Sequence, residues 1–128
     1  MKNIIVVTGG AGFIGSNLIK YLIKKTKYKI ISIDNYSTGT KKNHAKHNNV
    51  KYIKDKNINI SKLLKNYKKR IKVIFHFGEF SRIYQSFLKP KECLDSNINN
   101  SFAVINFAKD NKIKIIYSAT SSALGNNG

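Results

Sequence analysis

A glycine-rich turn between an apolar run and an amphipathic segment is the feature that most constrains the fold of this chain. Residues 4–7 read Ile-Ile-Val-Val, a β-branched run that is typical of a strand buried on both faces. Gly9, Gly12 and Gly15 follow at G-x-x-G-x-x-G spacing, and from Phe13 the apolar residues recur with helical periodicity. This strand-turn-helix context predicts a tight turn at Gly9 and close packing of the helix on the sheet at Gly15. Gly12 would let the backbone approach a bound pyrophosphate.

An acidic residue gives a second, independent signal for the ligand. Asp34 ends the next apolar run about 20 residues after the last glycine, where a carboxylate can accept a hydrogen bond from a ribose 2′-hydroxyl. The N–H groups of Phe13 and Ile14 would face the pyrophosphate at the helix N-terminus. Because a carboxylate at this point repels a 2′-phosphate, the sequence predicts NAD rather than NADP. A P-loop is excluded, since no G-K-[ST] follows the glycines.

Five apolar runs predict five strands, and polar or amphipathic segments separate them. The runs cover residues 4–7, 29–33, 50–53, 72–77 and 113–117. Strands that alternate with helices favour a parallel sheet with helices on both faces. We therefore predict an α/β fold, a doubly wound, Rossmann-like sheet of strand order 3-2-1-4-5, in one domain that spans residues 1–128. The ligand is expected at the switch point between the first and fourth strands.

Three segments between these strands have the apolar spacing of a helix. The stripe predicted to pack inward in the first helix contains Ile14, Leu18, Tyr21 and Leu22. A second helix is expected around residues 63–67, capped by Asn59 or Ser61. After Pro90 a long helix has one apolar face, formed by Leu94, Ile98, Phe102 and Ile105.

The strongly basic composition raises the hypothesis of a nucleic-acid surface. The formal net charge is +18, but Lys, Ile and Asn together contribute 22, 19 and 16 of the 128 residues. All three have A/T-rich codons, so a genomic bias explains their excess, and the lysines are scattered rather than gathered in one arm. We therefore favour solvated lysine faces over nucleic-acid binding.

The N-terminal segment and the single cysteine bear on location. Residues 3–19 lack charge but are interrupted by glycines, unlike a signal peptide, and no apolar run reaches the roughly 18 residues of a membrane span. Cys93 cannot form an internal disulfide and has no metal-ligand spacing around it. These features predict a cytoplasmic protein without a metal or a membrane partner.

Two motifs together resemble a known family. Residues 8–15 match T-G-G-x-G-F-I-G, and residues 34–39 match D-N-x-S-T-G. The pair is similar to the extended short-chain dehydrogenases/reductases, in their NAD-dependent epimerase/dehydratase branch, and the similarity covers only the front part of a family member. It implies an NAD cofactor and a nucleotide-sugar substrate. It also implies that Asn35, Ser37 and Thr38 contact the adenosine ribose.

Two further segments would extend the cofactor site. The resemblance implies an adenine-binding Asp near residue 55. Asp55 takes that role if one residue is deleted, and Lys56 occupies the position otherwise. Asn97 matches the asparagine that opens the family's N-V-x-G-T, although residues 100–101 replace Gly-Thr.

The segment after the fourth strand resembles the family's F-H-x-A-A, which runs under the cofactor. Phe77 and Gly78 fit that role, but Glu79 stands where a small residue is expected. A buried carboxylate needs a partner, and Arg82 is the candidate.

The catalytic residues are only partly represented. Counting back from Gly125 places Thr120 on the family's catalytic Ser/Thr, whose hydroxyl would hydrogen-bond the sugar oxygen. In the family a Tyr-x-x-x-Lys pair farther along the chain does the acid–base work. The two matches here precede Thr120, at Tyr21/Lys25 and Tyr52/Lys56, and we interpret both as chance.

Three functions follow, in order of preference. The first is the NAD-binding part of a sugar-nucleotide epimerase or dehydratase, truncated or completed by a second polypeptide and inactive alone. The second is a non-catalytic NAD-binding module. The third is a basic nucleic-acid-binding protein.

Overall fold

A five-stranded parallel sheet forms the centre of the molecule. The computed structural model describes residues 3–120 and residue 125. The sheet has the order β3-β2-β1-β4-β5, and all four strand pairs are parallel. Its strands are β1 (Ile4–Thr8), β2 (Lys29–Asp34), β3 (Val50–Lys54), β4 (Ile71–His76) and β5 (Lys114–Tyr117). The doubly wound order predicted from the sequence is confirmed.

The helices that connect these strands differ greatly in length. The α-helices are α1 (Phe13–Lys25), α2 (Ile60–Leu63), α3 (Ile83–Leu88), α4 (Pro90–Leu94) and α5 (Ser101–Asp110). Short 3-10 turns occur at Lys41–Asn43, Asn57–Asn59 and Lys68–Arg70, and a π-helical turn, Asp95–Asn100, joins α4 to α5. Within residues 3–120 and 125, no helix is long and apolar enough to span a membrane.

The central strand β1 is buried on both faces because helices cover the sheet from both sides. Ile5 and Val7 pack with Ile19 and Leu22 of α1, whereas the alternate residues of β1 pack on the other side. That second cluster contains residues of α2 and α5, namely Ile60, Val104, Phe107 and Ala108. Each fully buried isoleucine contributes about 1.5–3 kcal/mol of hydrophobic stabilisation.

The inward face predicted for α1 is partly wrong. Leu22 is buried and Leu18 is half-buried, but Ile14 and Tyr21 are exposed. The buried face is formed by Gly15, Ser16, Ile19 and Leu22. A side chain at Gly15 would collide with the carbonyl oxygen of Gly9, so the glycine brings this face of α1 against the turn. A prediction from recurring apolar residues misses this face, because it begins with a glycine and a serine.

The apolar face predicted after Pro90 is solvent-exposed. Leu94, Ile98, Phe102 and Ile105 all lie on the surface, and Phe102 is 65% exposed. The core is instead contacted by a face of Asn100, Ser101, Val104, Phe107 and Ala108. The wider π-helical turn interrupts the regular 3.6-residue period that the prediction assumed.

The helix expected around residues 63–67 is only one turn long. It covers Ile60–Leu63, and neither proposed cap acts as one. Asn59 precedes the helix without a side-chain capping bond, and Ser61 lies inside it. The Asn59 amide instead donates to Asp55 Oδ1 at 2.7 Å. This contact with the chain before the helix replaces the predicted cap.

Candidate functional site

A cleft of about 1000 Å³ opens at the carboxyl ends of the strands. It lies at the switch point, where β1 has β2 on one side and β4 on the other. All fourteen residues predicted for the site line it: Gly9, Gly12, Phe13, Ile14, Gly15, Asp34, Asn35, Ser37, Thr38, Asp55, Phe77, Gly78, Asn97 and Thr120. The fold therefore gathers residues that are spread over more than a hundred positions of the sequence.

The turn after β1 needs glycine for two different reasons. Gly9 has φ +70°, and a side chain there would meet the Phe77 carbonyl group at 2.7 Å. Gly12 has an ordinary φ of −77°, and an added side chain would crowd only the oxygen of Gly9, at 3.3 Å. Internal packing thus accounts for Gly9 more fully than for Gly12. The backbone at Gly12, which lines the cleft, is therefore open to it.

The N-terminus of α1 is uncapped where it meets the cleft. Gly12 is the N-cap and provides no side-chain hydrogen bond, and the first turn contains no acidic residue. The first N–H groups of a helix have no partner within it, and the helix dipole is positive at this end. Phe13 and Ile14 line the cleft here. The arrangement suits an anion.

Asp34 is held rigidly at the end of β2. Its Oδ2 accepts a hydrogen bond from Ala11 N at 2.9 Å, and its Oδ1 accepts one from Tyr36 N at 2.8 Å. The residue is only 9% exposed, yet it lines the cleft. Each carboxylate oxygen has a second lone pair, so both can accept another hydrogen bond from a ligand.

The loop after β2 is anchored to the glycine turn through Ala11. The carbonyl oxygen of Ala11 accepts from Thr40 N at 3.1 Å and from Asn43 Nδ2 at 2.7 Å. Asn35 Oδ1 accepts from Ser37 N at 2.9 Å, which shapes the start of the loop. Asn43 lines the cleft and was not predicted, because its contact is with a residue 32 positions earlier.

The structure distinguishes Asp55 from Lys56 as the residue that faces the cleft. Asp55 lines the cleft, whereas Lys56 is exposed and is not among the lining residues. Hydrogen bonds from Asn59 Nδ2 and from Lys56 N, both 2.7 Å, lower the pKa of Asp55. Its carboxylate is therefore ionised at neutral pH and can accept a hydrogen bond.

Asn57 is a lining residue that the sequence did not reveal. It is 7% exposed, and its Nδ2 donates to the carbonyl oxygen of Gly78 at 3.3 Å. That acceptor fixes the orientation of the amide, since a carbonyl cannot donate. A side chain at Gly78 would meet Asn57 Nδ2 at 2.5 Å, so the two residues fit together across the cleft floor.

A chain of buried hydrogen bonds crosses from β1 to α5 beneath the cleft. Thr8 Oγ1 accepts from Phe77 N at 3.2 Å and from Gly78 N at 3.1 Å, so its own hydroxyl hydrogen points to His76 Nδ1 at 2.6 Å. His76 Nε2 must then carry the ring hydrogen, and it donates to Ser101 Oγ at 2.9 Å. Ser101 in turn donates to Glu79 Oε1 at 3.3 Å.

His76 is neutral in this chain of hydrogen bonds. It is 0% exposed, and burial lowers its pKa to about 4. The 4.0 Å separation between His76 Nε2 and Glu79 Oε1 is therefore not an ion pair at neutral pH. The ring instead acts as a fixed link between β4 and α5.

The predicted partner of Glu79 is wrong. Its side chain is 20% exposed and is engaged by Ser101, not by Arg82. A hydrogen bond with Glu79 is also the largest cause of the raised pKa of Tyr117, followed by burial. Arg82 is exposed and lines the cleft. Tyr117 and Ser101 reach Glu79 because β5 and α5 lie beside β4.

Asn97 supports the loop after β4. Its Nδ2 donates to Phe80 O at 2.9 Å, and its Oδ1 accepts from Phe80 N at 2.6 Å. The Asn97 amide therefore bonds to both backbone polar groups of Phe80. This contact fixes the wall of the cleft that contains Phe80.

Thr120 lies just beyond β5, beside Tyr117, Ser118 and Ala119, which also line the cleft. Residues 121–124 of the matched segment lie outside the described residues. Neither Tyr-x-x-x-Lys match reaches the cleft. Tyr21 is exposed on α1. Tyr52 lies on β3, where its hydroxyl accepts from Ala45 N at 2.9 Å and its ring stacks on His44.

Several known proteins are similar to this chain. The dTDP-D-glucose 4,6-dehydratase of Dictyostelium discoideum is 35% identical, over 94% of this chain and 30% of its own length. The ADP-L-glycero-D-manno-heptose-6-epimerase of Brachyspira hyodysenteriae is 32% identical, over 95% of this chain and 38% of its own. Among solved structures, the UDP-N-acetylglucosamine 4-epimerase of Methanobrevibacter ruminantium, in complex with UDP-N-acetylmuramic acid, is 34% identical with a TM-score of 0.84.

The match to that structure covers 98% of this chain and 40% of the other, so the chain spans less than half the length of each of these relatives. Residues 5–128 match the family model described as the NAD dependent epimerase/dehydratase family. The glycine turn, the strand order and this match agree, and the chain therefore belongs to the NAD-dependent epimerase/dehydratase family.

Proposed function

We propose that the cleft binds NAD and that this chain is the cofactor-binding part of a nucleotide-sugar epimerase or dehydratase. The family is described as NAD dependent. The relatives named above act on sugars attached to dTDP, ADP or UDP, according to their names. A nucleotide-sugar substrate is therefore part of the proposal, and the choice of sugar is left open.

Asp34 is the observation that carries this proposal. The carboxylate is oriented by Ala11 N and Tyr36 N at the end of β2, beside the glycine turn. Its remaining lone pairs suit a ribose hydroxyl, which donates, and its negative charge opposes a 2′-phosphate. Both properties favour NAD over NADP.

The other lining groups fit the rest of a dinucleotide. The uncapped N-terminus of α1 suits the pyrophosphate, and the glycine at position 12 leaves the backbone open to it. The ionised Asp55 can accept from an adenine amine. Asn35, Ser37 and Thr38 complete the wall on the ribose side. When bound, the dinucleotide supplies hydride acceptance from the sugar and its return.

The chain's own contribution to the chemistry is positional. Thr120 lines the cleft beyond β5, and its hydroxyl can hydrogen-bond the sugar oxygen that gains or loses a proton. The proposal includes a cytoplasmic location, supported by the single free Cys93. It does not include a second polypeptide, which the relatives named above give no reason to invoke.

The test is a comparison of NADH with NADPH by fluorescence titration. We expect NADH to bind about tenfold more tightly or better, since a carboxylate repels the extra phosphate. Asp34→Ala should bring the ratio of the NADPH and NADH dissociation constants closer to one. A general loss of affinity would leave this ratio unchanged. Asp110→Ala, which removes an exposed acid paired with Lys109, is the matched control and should leave the ratio unchanged. Tighter binding of NADPH by the unaltered protein would overturn the assignment of Asp34.

A non-catalytic NAD-binding module is the second candidate. It is favoured by the position of both Tyr-x-x-x-Lys pairs, since neither Tyr21 nor Tyr52 lines the cleft. Nucleic-acid binding is separable by salt, because affinity from phosphate contacts falls steeply with log[salt]. We expect only weak binding to duplex DNA that is lost near physiological salt, and tight binding there would favour the nucleic-acid hypothesis instead.

A further inference from the structure

The charge of the cleft is opposite to that of the chain. The sequence contains 24 basic and 6 acidic residues. Three of the six acids, Asp34, Asp55 and Glu79, line the cleft. Among the basic residues that the structure describes, Arg82 alone lines it. Scattered lysines therefore cover the outside of the molecule, and a single guanidinium faces the ligand space.

Arg82 lines the same space as the loop after β2. It immediately precedes α3 and lines the main cleft. It also lines a smaller adjoining cavity of about 230 Å³, together with Ser37 and Thr38 of the loop after β2. The two loops that follow β2 and β4 thus approach each other here, on either side of the switch point.

No carboxylate neutralises Arg82 within residues 3–120 and 125. The ion pairs among those residues involve Lys89 and Lys109, and Glu79 is engaged by Ser101. Lys89, which lines only the smaller cavity, is paired with Glu92 at 3.4 Å. Arg82 is therefore the one lining cation in this part of the chain that is available to an anionic ligand.

A dinucleotide brings a pyrophosphate with two negative charges into a cleft that already contains three carboxylates. The N-terminus of α1 offers only about half a unit of positive charge, and no cation lies in its first turn. We propose that Arg82 supplies the missing charge and binds the pyrophosphate from the side opposite α1. A guanidinium suits this role because its planar fork can donate two parallel hydrogen bonds to phosphate oxygens.

This inference rests on the proposed dinucleotide site, and its test separates the two. Affinities for NADH, ADP and adenosine would be measured by calorimetry for the unaltered protein, Arg82→Ala, Arg82→Lys and Lys89→Ala. Adenosine lacks the diphosphate, so it reports the adenine and ribose contacts alone. Thermal unfolding of each variant would confirm that the exposed substitution leaves the fold intact.

We expect Arg82→Ala to weaken NADH and ADP by about tenfold or more, the size of a charge-assisted hydrogen bond, and to leave adenosine unchanged. Arg82→Lys should recover part of the loss, because it keeps the charge without the fork. Lys89→Ala should leave the affinities for NADH, ADP and adenosine unchanged. Unaltered ADP binding in Arg82→Ala, or an equal loss for adenosine, would overturn the role of Arg82 alone. Failure of the unaltered protein to bind NADH would instead remove the proposed function.

Discussion

The half of the cleft formed by the glycine turn and the end of β2 differs in kind from the half formed by the loop after β4. In the first half, Gly9, Gly12 and Asp34 occupy the positions that their spacing predicts. In the second, Glu79 has partners on α5 and β5 instead of the predicted Arg82. The first half follows from short-range geometry, because a turn and a strand end need particular residues. The second depends on which side chains of α5 and β5 lie beside the loop after β4, and these contacts leave no local spacing signal in the sequence.

The largest expected effect concerns catalysis, where the two halves would have to act together. A polypeptide of residues 1–128 alone is expected to bind NADH but to show no turnover of UDP- or dTDP-sugars. Thr120 can hold a hydrogen bond, but the hydroxyl group of threonine is by itself a poor base at neutral pH. General acid–base catalysis typically contributes 10²–10⁴-fold, and neither Tyr21 nor Tyr52 lines the cleft to provide it. The measurement is product analysis by chromatography.

The result that would contradict this prediction is turnover that Tyr21→Phe or Tyr52→Phe abolishes. Such a result would show that one of the two Tyr-x-x-x-Lys pairs is catalytic although its tyrosine does not line the cleft. Turnover unaffected by either substitution would instead point to an acid–base group elsewhere in the 128 residues.

The second prediction uses pH to probe the less predictable half. Burial lowers the folded-state pKa of His76 to about 4, below the ordinary value of 6.5. Between these two values the unfolded chain binds a proton that the folded chain does not, so stability falls as pH decreases from 6.5 to 4. The loss approaches about 3 kcal/mol by pH 4. Urea unfolding at a series of pH values measures it.

A variant without the titrating ring provides the control. His76→Gln is less stable at neutral pH, because it breaks the link from Thr8 to Ser101. The unfolding free energy of this variant should nevertheless depend less on pH between 6.5 and 4, because the contribution of His76 is absent. An unchanged slope would show that the acids, and not His76, cause the decline.

The third prediction probes the half that the sequence describes well. Gly9→Ala should destabilise the fold by about 2 kcal/mol or more, because alanine is strained at positive φ and would also collide with Phe77. Gly125 has nearly the same φ, +69°, but a side chain added there would meet no atom of the described residues within 4 Å. Gly125→Ala should therefore cost about 1 kcal/mol or less. Equal losses in denaturant unfolding would mean that the contact with Phe77 is unimportant.

The extent of what the sequence predicts follows the same division. The strand order, the glycine turn and Asp34 were accessible because β-branched runs and special backbone angles leave local signatures. The inward faces of α1 and of the helix after Pro90 were not. Gly15, Ser16, Asn100 and Ser101 form part of the buried faces, and none of them is apolar. Each is buried through a close backbone approach or a hydrogen bond with a distant residue.

The smallest expected effect tests the partner of Glu79 directly. Glu79→Gln, Ser101→Ala and the double variant form one thermodynamic cycle, and Glu79→Gln, Arg82→Gln and their double variant form another. The structure predicts a coupling of about 1 kcal/mol in the first cycle, the net size of one intramolecular hydrogen bond. The second cycle should give a coupling near zero, since the Arg82 side chain is exposed and makes no ion pair with Glu79. Coupling in the second cycle and none in the first would restore the pairing that the sequence suggested. That result would mean that Glu79 pairs with Arg82 and not with Ser101. Arg82 would then already be neutralised in the protein without a ligand, and would not be available to a phosphate.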